Sequence, residues 1–138
     1  MNEGELCSRA QFGLGDLVDD FSVLRGITRE AQQIHKRFEL AVIAAGMRGI
    51  SAADVERTFL LPPDYTRGIK PDVVLRDDIG DIIAIYDVKT LDAALWPKRV
   101  RLLRTATRVD PSVYVIDLHV ERGATLKFRW NELGGRLT

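Results

Sequence analysis

One cysteine, Cys7, stands in the 138 residues of the chain. An internal disulfide framework and a cysteine-rich zinc site are therefore both excluded. Cys7 stands in a poorly patterned N-terminal segment with no histidine near it in sequence, so a thiol nucleophile is set aside as well. A surplus of either charge is also missing, because 20 Lys and Arg balance 20 Asp and Glu. A neutral sum argues against a uniformly basic nucleic-acid binder. Long apolar runs are absent: "LAVIAA", Leu40 to Ala45, is far shorter than the roughly 20 residues of a transmembrane helix. The first residues are acidic, with no apolar signal core. There is no internal repeat and no low-complexity tract.

What is present reads as a globular chain, with 46% hydrophobic and 29% charged residues. One domain over 1–138 is expected, with a helical extension over 1–28 and a core over 29–130. Charge is unevenly placed. Residues 1–28 hold Glu3, Glu5, Asp16, Asp19 and Asp20 against Arg9 and Arg25, whereas "KRVRLLRTATR" (98–108) has five bases and no acid. Such asymmetry can orient a polyanion even when the total vanishes.

Periodicity supplies the elements. Leu14, Leu17, Val18, Phe21 and Leu24 recur at helical spacing, with Gly26 placed to end the helix. A second helix starts from a Thr28 cap, carries Ile34, Phe38, Ala41, Val42 and Ala45 on its apolar stripe, and stops at Gly46 or Gly49. "SAADVERTFLL" fits a short helix capped by Ser51 or a first strand at "RTFLL"; Pro62-Pro63 ends either. Two strands, Ile69–Arg76 and Asp81–Thr90, flank the turn "DDIG". Pro97 opens a helix reaching about Val109, and "SVYVIDLHVE" and "TLKFRW" are two further strands. This order gives an α/β (α+β) chain, a mixed sheet with helices packed on it.

The hairpin holds the chemistry. Alternation puts Ile83, Ile85, Asp87 and Lys89 on one face and Ile82, Ala84, Tyr86 and Val88 on the other. Antiparallel pairing across "DDIG" then brings Asp72 beside Asp87 and Lys89. Two carboxylates and an ammonium at one strand end are the parts that phosphodiester hydrolysis requires. Carboxylate oxygens hold a hard cation, and a lysine can orient or deprotonate the attacking water. Arg101, Arg104 and Arg108, at i, i+3 and i+7, form a stripe that can contact phosphates. Lys98, Arg67 and Lys70 join them as candidates.

Pro71-Asp72 followed by Asp87-Val88-Lys89 on the next strand resembles the PD-(D/E)xK nuclease superfamily. The resemblance spans roughly Glu30 to Val120, and its motif is short. It implies a restriction-endonuclease-like core of a helix, a three-stranded meander, a crossover helix and a further strand, here with an extra N-terminal helix. It also implies Mg²⁺ or Mn²⁺ on Asp72, Asp87 and the Val88 carbonyl, with Lys89 serving the water. Glu39 corresponds to the glutamate that many members add from the first core helix. "RGIKPDVVL" with "YDVKT" is further similar to nuclease domains of bacterial polymorphic toxins, of the contact-dependent inhibition, Rhs and type VI effector kinds. That narrower likeness implies cleavage of DNA or tRNA in a target cell's cytoplasm, delivery from another cell within a larger secreted protein, and a cognate immunity protein as partner. On this reading, alanine at Asp87 or Lys89 abolishes cleavage and leaves the fold intact.

Plainer readings stand beside it. Asp72 after proline suits a strand start, and Asp87 with Lys89 suits an exposed ion pair. Glu39 suits a solvated helix face, and Lys98, Arg99, Arg101, Arg104 and Arg108 suit another. His35 lies one turn from Glu39, close enough in sequence to reach the site, with a surface position as the plainer reading; His119 receives no role, and Trp96 and Trp130 read as packing residues. The alternatives to a nuclease are a catalytically silent nuclease-fold module binding nucleic acid or protein, and an unrelated α/β interaction domain.

Overall fold

A computed structural model describes residues 2–24, 31–90, 97–110, 113–120 and 127–131. Helix α1 runs from Glu3 to Leu24 and α2 from Ala31 to Ala45, followed by a single 3₁₀ turn at Ala52–Asp54. The first helix starts well before Leu14. Asn2 supplies the reason: its Oδ1 accepts the Glu5 N–H at 2.8 Å, and its amide donates to the Glu5 carboxylate at 3.0 Å. Leu6, Ala10 and Leu14 then continue one buried stripe. The stop at Gly46 holds, since φ of +58° there suits glycine. Thr28 and Gly26 lie outside the described residues. Ser51 makes no side-chain bond to the turn's backbone; its hydroxyl reaches Asp54 Oδ2 at 3.4 Å.

Among the described residues six strands follow, divided between two sheets. β1 (Phe59–Leu61) and β2 (Arg67–Ile69) form a small antiparallel arm. β3 (Val73–Arg76), β4 (Ile82–Thr90), β5 (Tyr114–Val120) and β6 (Lys127–Asn131) form the main sheet in the order β3-β4-β5-β6. β4 and β5 are parallel, as a crossover through α3 (Pro97–Thr107) requires, and the outer pairs are antiparallel. The chain is thus a mixed α+β fold.

The expected strand Ile69–Arg76 is corrected to two pieces. Pro71 has no N–H to give a ladder, so the chain leaves β2 and enters β3 across Lys70–Asp72. The helix expected to reach Val109 ends at Thr107, where the Thr107 hydroxyl bonds the Leu103 carbonyl at 2.7 Å.

Strict alternation along β4 is corrected too. Leu75 pairs with Ala84 but Arg76 with Ile82, which leaves Ile83 as the extra residue of a bulge. Ile83 therefore joins Ala84, Tyr86 and Val88 in the core beneath α1 and α2, with Leu6, Leu14, Phe38 and Val42. Ile82 packs instead with Ile85 on the opposite face, against Val100, Leu103 and Val115. From Ala84 to Val88 the expected alternation stands.

A buried ion pair fixes what precedes β3. Arg76 donates to both oxygens of Asp54, at 2.7 and 3.3 Å, and Arg57 adds a bond at 3.3 Å. Burial alone would raise the Asp54 pKa, but the two guanidiniums outweigh it and hold the carboxyl below its ordinary range. The 3₁₀ turn is thereby tied to the sheet, and Val55 makes an isolated bridge to Val73. The next residue, Glu56, is delivered to the end of the hairpin. That placement matters below.

Candidate functional site

Asp72 is gripped from several sides. Its N–H donates to the Tyr86 carbonyl at 3.1 Å and its carbonyl accepts the Glu56 N–H at 3.0 Å. One carboxylate oxygen accepts the Val88 N–H at 2.6 Å, and the other meets His35 Nδ1 at 3.1 Å. The middle residue of "DVK" therefore clasps Asp72 through its backbone. The hairpin brings Asp72 to the strand end that carries Asp87 and Lys89. The Lys89 backbone pairs with His119 across the parallel ladder, while its side chain lies outside the described residues, as do those of His119, Trp96 and Trp130.

The carboxylates of Asp72 and Glu56 and the imidazole of His35 offer ligand atoms that all lie within 4.8 Å of one another. Each of the three is partly buried, with the Asp72 side chain 12% and His35 29% exposed. Glu39, one turn beyond His35 on α2, belongs to the same neighbourhood. Its Oε2 is buried and makes no hydrogen bond among the described residues. The Lys36 ammonium stands 3.5 Å away and is itself mostly in solvent.

Burial raises the Glu56 pKa; a hydrogen bond with the Glu39 carboxyl and the charges of Glu39 and Asp72 push it further, against an opposing pull from Lys70. Three carboxyl groups crowded beside an imidazole fit a divalent cation, which relieves exactly that repulsion. Oxygen donors suit Mg²⁺ or Mn²⁺, and the imidazole tips the set toward Mn²⁺ and the later transition ions.

Asp87 is placed differently. It is fully buried, and Arg99 grips it with Nε on Oδ2 and with Nη2 on Oδ1 at 3.1 Å. The same Nη2 donates to the Lys70 carbonyl at 2.9 Å. This paired guanidinium is held above its ordinary pKa, first by the Asp87 bond and further by the charges of Asp87 and Asp72. Arg99 therefore lies between the two acids of the motif in electrostatic terms, and it is not on the solvated face assigned to it from sequence.

The remaining basic candidates divide. Arg67, Lys70, Lys98, Arg101 and Arg108 are exposed. Arg104 instead donates from Nε and Nη2 to the Val113 carbonyl, at 3.2 and 2.8 Å, which ties α3 to the entry of β5. Burial lowers its pKa.

Glu56 was not singled out in the sequence, and no pattern there marks it. His35 had a signal, its i, i+4 spacing to Glu39. Glu56 also carries backbone strain, with φ of +53°. A left-handed conformation costs a residue with a Cβ about 1–2 kcal/mol. Glu56→Gly is therefore expected to raise the melting temperature of the metal-free protein by a few degrees while weakening Mn²⁺ binding.

The pH dependence has a definite sign. A carboxyl whose folded pKa is raised contributes stability below its ordinary range and loses it as pH rises through the folded value. The gain from Glu56→Gly should thus be larger at neutral than at acid pH. Calorimetric scans with and without Mn²⁺ check this, and a lower melting temperature at neutral pH would contradict it.

No protein-family model, curated protein or solved structure matches the chain. Among the described residues, no helix is long and apolar enough to cross a membrane.

Proposed function

We propose that the chain is a divalent-metal-dependent nuclease on a restriction-endonuclease-like core, hydrolysing phosphodiester bonds of DNA or tRNA. The observation that carries the reading is the convergence of Asp72, Glu56 and His35 at the strand end where "DVK" begins. Asp72, Glu56 and His35 would hold the cation, with Glu39 beside them. A bound cation would lower the pKa of a water and offset charge gathering on the phosphate.

The chain's own groups account for the rest. Val88 N–H fixes the Asp72 carboxylate in one orientation. Lys89, two residues after Asp87 on β4, is assigned to orient and deprotonate the water. Arg99 supplies positive charge at the strand end and holds the Asp87 carboxylate. A toxin-like role, with an immunity protein that covers the site, belongs to the same reading.

One observation favours a second reading. With Arg99 on both oxygens of Asp87, that acid is engaged by protein, as suits a silent module that binds nucleic acid without turnover. One experiment separates the two. The protein is incubated with plasmid DNA and with total tRNA, under Mn²⁺, Mg²⁺ or excess chelator, beside Lys89→Ala. Cleavage that requires the cation and falls at least about a hundredfold in Lys89→Ala is expected. Binding without cleavage under every cation would select the silent module.

A further inference from the structure

We propose that the β1–β2 arm and α3 together form a binding face for single-stranded nucleic acid, with Tyr65 as the platform on which an unpaired base stacks. The inference rests on the nuclease reading for its setting, and on three observations of its own.

The first is a fixed pair at the far end of the face. Tyr65, in the β1–β2 connection, has φ of +57°, and so does Arg108 at the end of α3. Arg108 Nη2 donates to the Tyr65 hydroxyl at 2.8 Å, and its guanidinium carbon stands 5.5 Å from the ring centroid. Local turns hold both backbones: the Tyr65 N–H donates to the Leu61 carbonyl at 3.0 Å, and the Val109 N–H donates to the Arg104 carbonyl at 3.3 Å, capping α3 across Arg108. The pair is thus set by the chain's own turns and stays out of the core, for Tyr65 is 43% exposed and Arg108 is exposed too. An aromatic ring fixed by a cation and left in solvent is a stacking surface.

The second is charge. Residues 58–70 and 97–108 carry Arg67, Lys70, Lys98, Arg101 and Arg108 at exposed positions, with Asp64 as their one acid. In a chain whose total charge is zero, this concentration selects a polyanion as occupant.

The third is continuity with the metal cluster. β2 runs directly into Lys70, whose carbonyl receives Arg99 and whose charge acts on Glu56. From Arg99 to Arg108, α3 rises about 14 Å. A strand lying along α3 with a base on Tyr65 would have its backbone near the cluster.

Unpaired nucleotides follow from the ring. In a duplex the base faces are hidden in the stack, so an exposed tyrosine gains nothing from them, whereas any unpaired base has a face to offer. DNA and RNA share this chemistry.

The test measures binding in excess chelator, so that no cleavage is needed. Fluorescence anisotropy is recorded for the full chain with labelled DNA and RNA single strands of about 15 nucleotides, and with the matching duplex. Both single strands, or one sugar type alone, should bind more tightly than the duplex. Tyr65→Ala should weaken that binding about tenfold, Tyr65→Phe should keep it, and Tyr65→Asn, which tolerates the left-handed backbone, should fail like alanine although folded. Arg101→Gln should weaken binding regardless of sequence and reduce the salt slope by about one. Equal or tighter duplex binding, or indifference to Tyr65→Asn, overturns the proposal. Tyr65-dependent binding by a chain that cleaves nothing would support this face and remove the nuclease reading. Intact cleavage with no effect at Tyr65 would do the reverse.

Discussion

Asp72→Asn is expected to abolish divalent-cation binding in a chain that still folds. The amide keeps an oxygen that can accept the Val88 N–H, and the backbone bonds of residue 72 to Tyr86 and Glu56 do not involve the side chain. What disappears is the negative charge at the centre of the His35–Glu56–Asp72 group. A cation at a hundred times its dissociation constant stabilises a protein by about 2.7 kcal/mol. For a chain of this size that corresponds to a rise of roughly 10 °C in melting temperature. The parent protein should show a shift of this kind with Mn²⁺ and Asp72→Asn should show none, with cleavage down at least about a hundredfold. An unchanged Mn²⁺ shift in the variant would dissolve the metal assignment, because Asp72 touches both His35 and the backbone of the motif.

The second large effect concerns stability. Asp87→Ala leaves Arg99 facing a buried position without its acid. Breaking such a pair from one side costs about 3–5 kcal/mol when both charges are buried. Arg99 is 33% exposed, so water recovers part of this and about 2–3 kcal/mol is expected. Melting should fall by roughly 10 °C. The expectation that alanine at Asp87 spares the fold is therefore replaced. Removing both partners in Asp87→Ala/Arg99→Leu should restore most of the loss, since no charge is then stranded. A double variant as unstable as the single would assign the loss to packing instead. For studies of activity, Asp87→Asn is the milder substitution.

The position of Asp72 was legible because it depends on local rules. A four-residue turn, alternation and antiparallel pairing together bring the two strand ends side by side. The same rules failed where the chain broke them locally. Pro71 carried the signal for dividing the first strand, but an unbroken apolar pattern on both sides of it reads as one element. The Ile83 bulge carried none, because Ile82 and Ile83 are equally apolar and either face accepts them.

Glu56 and Arg99 were beyond sequence reasoning for another reason. Glu56 reaches the cluster through the Asp54–Arg76 pair and the Val55–Val73 bridge, contacts between segments that no periodicity links. Arg99 sits in a run of bases whose members look alike, yet only its place opposite Asp87 distinguishes it from Arg101 in solvent. Composition gave a polyanion-facing stripe; the structure divided it into a half-buried tie at Arg104, a clamp at Arg99 and exposed residues beside them.

The bulge at Ile83 has a last consequence. It works as a phase shifter, separating the alternation of the turn from that of the residues leading to Asp87. Upstream of it, Asp77 Oδ1 receives the N–H groups of Ile79 and Asp81, at 3.0 and 2.9 Å, and closes the turn on its own terms. A residue gained or lost near 77–82 can be absorbed there by moving or removing the bulge. The same change between Ala84 and Asp87 would reverse every side chain from that point to the end of the strand. The hairpin has one end that tolerates length variation and one that does not, and the cluster stands on the second.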